Sequence, residues 1–404
     1  MVVMRDAADV REDAAGLSGA LRAGEVRYWL GADYAFHVKL YALCFALFGP
    51  WLGYNVIAAE PLNAFLYLAS LAAVFRIGSA VFGGRAGLLA AVAFALWPSL
   101  LLHSTQLLKD PLFVAGFLAL VLILVRLLTR TFSWAETSLT FAAGALVLTA
   151  LWLTRRDWGA LLVATVLIGA AALAVRQLRE GRALTANIVC AALLVAAAVG
   201  VPRVMPNALK LGATRGVRAA ADGGVLSRAG APRVPTSGES RRGYVWSRAA
   251  ARVGEIRRGL AEAFPNSGSD IDADVQIGDA SDLLGYLPRA AAVGFFAPFP
   301  NMWLTSGQKA GAAGRRLAGI ECVAMYAVEA LALVGLWRGR RRLPVWLLAT
   351  VAAVGVTALG LVVVNVGALY RMRYVFVALL IIVAAGAAAG SRGRQPNGSL
   401  GGDA

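Results

Sequence analysis

Residues 103–129, HSTQLLKDPLFVAGFLALVLILVRLLT, decide the reading of this chain. From Pro111 onward the stretch is almost wholly apolar and long enough to cross a bilayer, yet Lys109 and Asp110 stand side by side at its head. A charge deep in hydrocarbon costs several kcal/mol, so the pair belongs at a membrane surface or at a working site. Similar apolar segments occur at 52–81, 84–104, 137–154, 157–176, 184–202, 318–337, 344–364 and 371–390. With 109–129 they predict nine transmembrane helices in an all-α polytopic membrane protein.

Composition agrees. The 404 residues are 59% hydrophobic and only 15% charged, against about 25% charged in soluble domains. Mean hydropathy is +0.67. The net charge of +16 lies largely in arginine clusters between apolar segments, where it reads as a topology signal and not as a nucleic-acid footprint. Cys44, Cys190 and Cys322 all fall inside apolar runs and read as small core residues. His37 and His103 are the two histidines, too few for a histidine metal site.

The connections alternate in charge. "FGGRAG", "RLLTRTFSW", "RQLREGR", "RGRRR" and "SRGRQ" form one arginine-rich set of short turns, expected on the cytoplasmic side. The other set faces outward: residues 1–36, the turn at 104–110, "TRRDW", the polar segment 203–317 and "NVGALYRMRY". An outward, charged N-terminal segment with no apolar stretch before it predicts a further transmembrane helix upstream of residue 1. The resulting division is a first outer loop (1–36), a core of six helices (37–202), an outer segment (203–317), three C-terminal helices (318–390) and a disordered cytoplasmic tail (391–404). Within the outer segment, the patch 286–303 reads as interfacial or re-entrant, because the parity of the spans leaves it no crossing. "SGSDIDADV" (267–275) alternates acids but lacks the Gly and distal Glu of a calcium loop, and reads as a solvated strand edge.

Charges collect on the outward face against the topology rule: Lys109–Asp110, Arg155 and Arg156 with Asp157, Arg371 and Arg373, and the acids Asp6, Asp9, Glu12 and Asp13. Glu60 and Glu329 lie within apolar helices. Arginine forks bind phosphate bidentately and stay charged in partly apolar settings. A carboxylate can take a proton from an attacking hydroxyl or ligate a divalent cation. Together these groups suit substitution at a sugar carbon with a lipid phosphate leaving. Because residues i and i+2 do not share a helix face, one of Arg371 and Arg373 is expected to point into the protein.

The run from "FHVKLYALCFALFGP" through "FGGRAG" and "ALWPSLLL" to "KDPLF", with the late "NVGALYRMRY", resembles the bacterial GT-C glycosyltransferases. These are the polytopic enzymes similar to protein O-mannosyltransferases and the lipid A aminoarabinose transferase. The resemblance covers about residues 1–160 well and 285–390 loosely. It implies transfer from a polyprenyl-phosphate-linked sugar to a hydroxyl of an envelope glycan, lipid or protein, on the outer face of a bacterial inner membrane. It also implies a catalytic acid in the first outer loop, best matched by Asp6, with Asp13 as competitor. Lys109, Asp110, Arg155, Arg156, Arg371 and Arg373 would then surround the donor phosphate, with His37 and Glu60 toward acceptor or headgroup. Some members of that family need a divalent cation such as Mg or Mn. The competing readings are a flippase of lipid-linked sugars, gated at Glu60 and Glu329, or a non-catalytic assembly protein.

Overall fold

Each apolar segment is helical in the computed structural model, which describes residues 5–181, 185–204, 241–263, 270–303 and 311–390. Seven helices among these are long and apolar enough to cross a membrane, and two bent pairs bring the number to nine. The chain is thus an all-α, multi-pass membrane protein. It opens with α1 (Arg5–Arg22), α2 (Val26–Gly31) and α3 (Phe36–Leu52), ahead of the first span α4 (Val56–Phe82). The second span is broken into α5 (Gly84–Ala95) and α6 (Pro98–Ser104), 68° apart. Then follow α7 (Asp110–Thr129), α8 (Trp134–Thr154), α9 (Gly159–Glu180) and α10 (Ala186–Val204). The outer segment contributes α11 (Arg241–Ala263) and α12 (Ala280–Phe296), and the spans resume with α13 (Gly311–Gly339) and α14 (Leu343–Val362). The last span is bent by 53° between α15 (Val366–Met372) and α16 (Tyr374–Ala388). Residues 205–240 of the outer segment and the tail 391–404 lie outside the described residues.

Local chemistry sets the boundaries. The first span starts at 56 because Asn55 caps it, accepting from Ile57 N at 2.8 Å, as short polar side chains do at helix starts. α8 starts before the apolar pattern does, because Ser133 and Glu136 form a reciprocal capping box. α16 is buried on all sides and forms the centre of the bundle, as expected of a helix apolar all round. It packs chiefly on α13, α5 and α14.

The ends of the spans sort into two faces. On one, Arg176 donates to the carbonyls of Leu127 and Arg130, Asn187 Nδ2 to the same two, Arg338 to Ala387 and Arg342 to Val81. These side chains satisfy carbonyls left open at helix C-termini, where cations also complement the dipole. The opposite face gathers the turns at 105–110, 154–158 and 363–373, together with residues 270–303. The alternation read from charge is therefore the alternation of the bundle's two ends.

The 286–303 patch is mostly the C-terminal part of α12, which is not among the membrane-spanning candidates. α12 packs closely on α14: a methyl group at Gly360 would come within 2.7 Å of Gly294 N, a small-residue contact typical of membrane bundles. The acidic 270–275 stretch is more than a solvated edge. Asp270 bridges to Asn365, and Asp272 accepts from Arg289 at 2.9 and 3.1 Å and from Tyr286 at 3.0 Å. The hydrogen bonds from Arg289 hold Asp272 below the usual carboxylate range. This pairing ties the 270–275 stretch to α12.

Candidate functional site

The site begins with a pinned turn. The buried Tyr41 hydroxyl lies 2.9 Å from both the Leu108 carbonyl and Asn63 Oδ1, and Asn63 Nδ2 donates to the Gln106 carbonyl at 3.3 Å. Leu107 and Leu108 are buried against Ala7, Ala14 and Leu17 of α1 and Val38 and Phe45 of α3. This turn delivers Lys109 and Asp110 to the first turn of α7, where Pro111 needs no amide partner and an acid suits the dipole.

Asp110 is buried and held from two sides. Arg155 Nη2 bonds Asp110 Oδ1, and Arg371 Nε stands 3.1 Å from Oδ2. Arg155 is 2% exposed; its guanidinium lies over Trp158 at 5.2 Å and Phe113 at 5.5 Å from the ring centroids. Trp158 in turn stacks parallel to Phe376. Lys109 is half-buried beside the cluster, and burial, with Arg155 second, lowers its ammonium from the usual range. His37 is an electrostatic neighbour of Lys109, Asp110 and Arg155. Three cations thus surround one buried carboxylate, with Asp157 exposed nearby as a partial offset. Arg155 Nε and Nη1 are buried without a hydrogen-bond partner. Unfilled charged donors in the interior are costly unless an anion completes them.

Asp110 also forms part of the wall of a narrow, partly open cavity. Tyr67, Phe94, Leu100, Pro111 and Val114 make most of the rest, with His103 and Tyr374 as polar members. A cationic cluster beside an apolar cavity suits an anionic group carried on a hydrocarbon chain.

The other sequence-selected residues fall as follows. Arg373 is buried but turned away from Asp110: Nη1 donates to the Ala297 carbonyl at 2.6 Å, with Gly294 and Phe295 carbonyls at 3.4 Å. It caps the C-terminus of α12 while stacked over Tyr370. Arg371 and Arg373 therefore diverge, as the i, i+2 spacing requires, but both point inward. Arg373→Gln is expected to loosen the 297–303 segment, at a cost of about 1.5–3 kcal/mol for the lost charged hydrogen bonds. Limited proteolysis of the 297–310 region would read this directly. Arg156 stacks on Trp152 and not on the Asp110 cluster. Glu60 is half-buried close to Asn63, beneath the pinned turn. Asp13 is half-buried on α1. Asp6 stands in the first turn of that helix, its side chain outside the described residues.

Sequence reasoning missed a second polar network. Glu321 is buried in α13 and accepts from Ser99 of α6, with Tyr370 of α15 as an electrostatic neighbour. His103 Nδ1 lies 2.5 Å from the Ser99 carbonyl and 3.1 Å from the Tyr374 hydroxyl. The network ties the two bent spans together. The one signal for it was an acid within the apolar run 318–337. Among the described residues, no group of three or more His, Cys, Asp and Glu side chains could hold a metal ion. The Asp110 cluster suits one poorly, because both carboxylate oxygens already face guanidiniums and a dication would sit among three cations.

No family model matches the sequence, and no curated protein matches it. Among solved structures, the chain is similar to the crystal structure of ArnT from Cupriavidus metallidurans bound to undecaprenyl phosphate. The likeness covers 93% of this chain and 73% of ArnT, at 15% sequence identity and a TM-score of 0.36.

Proposed function

We propose that this chain is an integral-membrane glycosyltransferase of the GT-C kind. It moves a sugar from a polyprenyl-phosphate donor to a hydroxyl of a cell-envelope glycan, lipid or protein. The observation that carries the reading is the excess of cations around Asp110, with guanidinium donors left over, beside an apolar cavity. The site lies on the extracytoplasmic face of a bacterial inner membrane. Support for that side comes from the arginine-rich short turns at the opposite end of the bundle.

In this reading the donor phosphodiester sits against Arg155, Arg371 and Lys109, and the first part of the prenyl chain enters the cavity. The acceptor oxygen attacks the anomeric carbon, the bond from that carbon to the phosphate oxygen breaks, and the acceptor proton passes to a base. The released monoester gains a second negative charge, so fixed guanidiniums stabilise the transition state more than the ground state. Asp110 is not the base, since its two oxygens are engaged by arginines; it orients them. The base is carried by α1, at Asp6 or Asp13, because α1 packs directly over Leu107 and Leu108. His37 and Glu60 line the approach of the acceptor.

The test is acceptor-dependent release of free polyprenyl phosphate by protein in nanodiscs supplied with polyprenyl-phosphate sugars and envelope acceptors. Release by wild type is expected, with Asp6→Asn or Asp13→Asn slowing it by roughly 10²–10⁴-fold, the usual contribution of a general base. One observation favours a transporter instead: Glu329 Oε2 is buried without a partner within a span. Translocation that depends on Glu329 and is accompanied by no release of free polyprenyl phosphate would favour that alternative.

A further inference from the structure

Arg155 and Arg156 are adjacent in sequence but serve different places. Arg155 occupies an extended break after α8 (φ −145°, ψ 85°), and a single 3-10 turn begins at Arg156. Their side chains therefore diverge. Arg156 lies over the Trp152 ring, 4.7 Å from its centroid. Trp152 belongs to the wall of a second, narrow cleft between α8, α9 and α10. The remaining wall is Leu148, Gly159, Leu162, Ala198 and Val201, apolar throughout. Arg156 Nε and Nη2 are buried and have no hydrogen-bond partner. Among the described residues no carboxylate forms an ion pair with it, and the neighbouring Asp157 is exposed.

An arginine with two unfilled buried donors, stacked on the wall of an apolar cavity between three membrane spans, asks for a ligand that is anionic at one end and hydrocarbon at the other. We infer that Arg156 and this cavity form a binding site for an anionic phospholipid of the surrounding bilayer. The lipid phosphate accepts from Nε and Nη2 of the planar fork, and part of one acyl chain lies along the apolar cleft between α8, α9 and α10. The site is separate from the Asp110 cluster and does not rest on the glycosyltransferase reading. Its occupant comes from the bilayer and is not consumed.

The test uses the full chain, purified in detergent and stripped of lipid, titrated with phosphatidylglycerol or phosphatidylcholine and read by native mass spectrometry. Wild type is expected to bind the first phosphatidylglycerol at least tenfold more tightly than the first phosphatidylcholine. Arg156→Gln is expected to erase that preference. Ala198→Phe, which keeps the guanidinium and fills the cavity, is expected to weaken phosphatidylglycerol binding at least tenfold. Size-exclusion elution and helical circular dichroism establish that each variant is folded; should Arg156→Gln not fold, Ala198→Phe decides. Equal affinity of wild type for the two lipids would overturn the inference. So would unchanged phosphatidylglycerol binding in either folded variant.

Discussion

Asp110→Asn is expected to abolish acceptor-dependent release of polyprenyl phosphate and to lower stability by roughly 3–5 kcal/mol, the usual penalty for removing one member of a buried ion cluster. The carboxylate is the anion that both Arg155 and Arg371 face, with Lys109 beside them. Without it, buried cations face one another in a low-dielectric setting, and the geometry that aims both guanidiniums at a ligand is lost. Thermal unfolding of the detergent-solubilised protein reads the first effect and the release assay the second. Added polyprenyl phosphate should restore part of the thermal loss, because the ligand's own charge replaces the missing one. An Asn variant with wild-type melting and turnover would remove Asp110 from its place as the anchor.

Arg155→Gln is expected to reduce release by roughly 10²–10³-fold, the cost of deleting one well-placed donor to charge that develops in the transition state. Arg155→Lys should recover little, because an ammonium cannot occupy the fork that spans Asp110 and a phosphate over two aromatic rings. Arg371→Gln is expected to cost less. Its side chain is 15% exposed against 1% for Arg155, so water takes up part of its role. The two substitutions share Asp110 as partner, so the double variant should fall short of the product of the single effects. Fully multiplicative losses would mean that the two arginines act on separate groups.

Much of the fold was legible because a bilayer demands it. Apolar runs of span length have few alternatives to helices once every backbone amide must be satisfied internally, and all nine segments appear as spans or bent spans. The bends were not legible. "GLLAAVAFALWPSLLLHS" reads as one continuous apolar helix, but Pro98 cannot donate to the preceding turn, and the chain turns by 68° across Leu96–Trp97. The last span breaks at Arg373, whose buried side chain is drawn to the carbonyls at the end of α12. Hydrophobicity says nothing about such a pull.

The candidate site was legible as a set of residue types and not as a set of partners. Lys109, Asp110, Arg155 and Arg371 stood out because charges are rare in so apolar a chain. That Asp110 pairs with Arg155 and Arg371, while Arg156 and Arg373 turn elsewhere, depends on backbone angles at helix breaks. The Ser99, Glu321, His103 and Tyr374 network was hidden for another reason: serine and tyrosine are ordinary within spans, and their significance comes only from the bends that bring them together. Tyr41 and Asn63 likewise gain their role from the turn they pin.

The most direct test is a titration of polyprenyl monophosphate against the detergent-solubilised protein, followed by phosphorus-31 NMR, for wild type, Arg155→Gln and Arg371→Gln. Saturable binding by wild type, weakened at least tenfold in Arg155→Gln and less in Arg371→Gln, is the predicted result. Equal binding by all three proteins, or no binding by folded wild type, would contradict the assignment of the Asp110 cluster as a lipid-phosphate site.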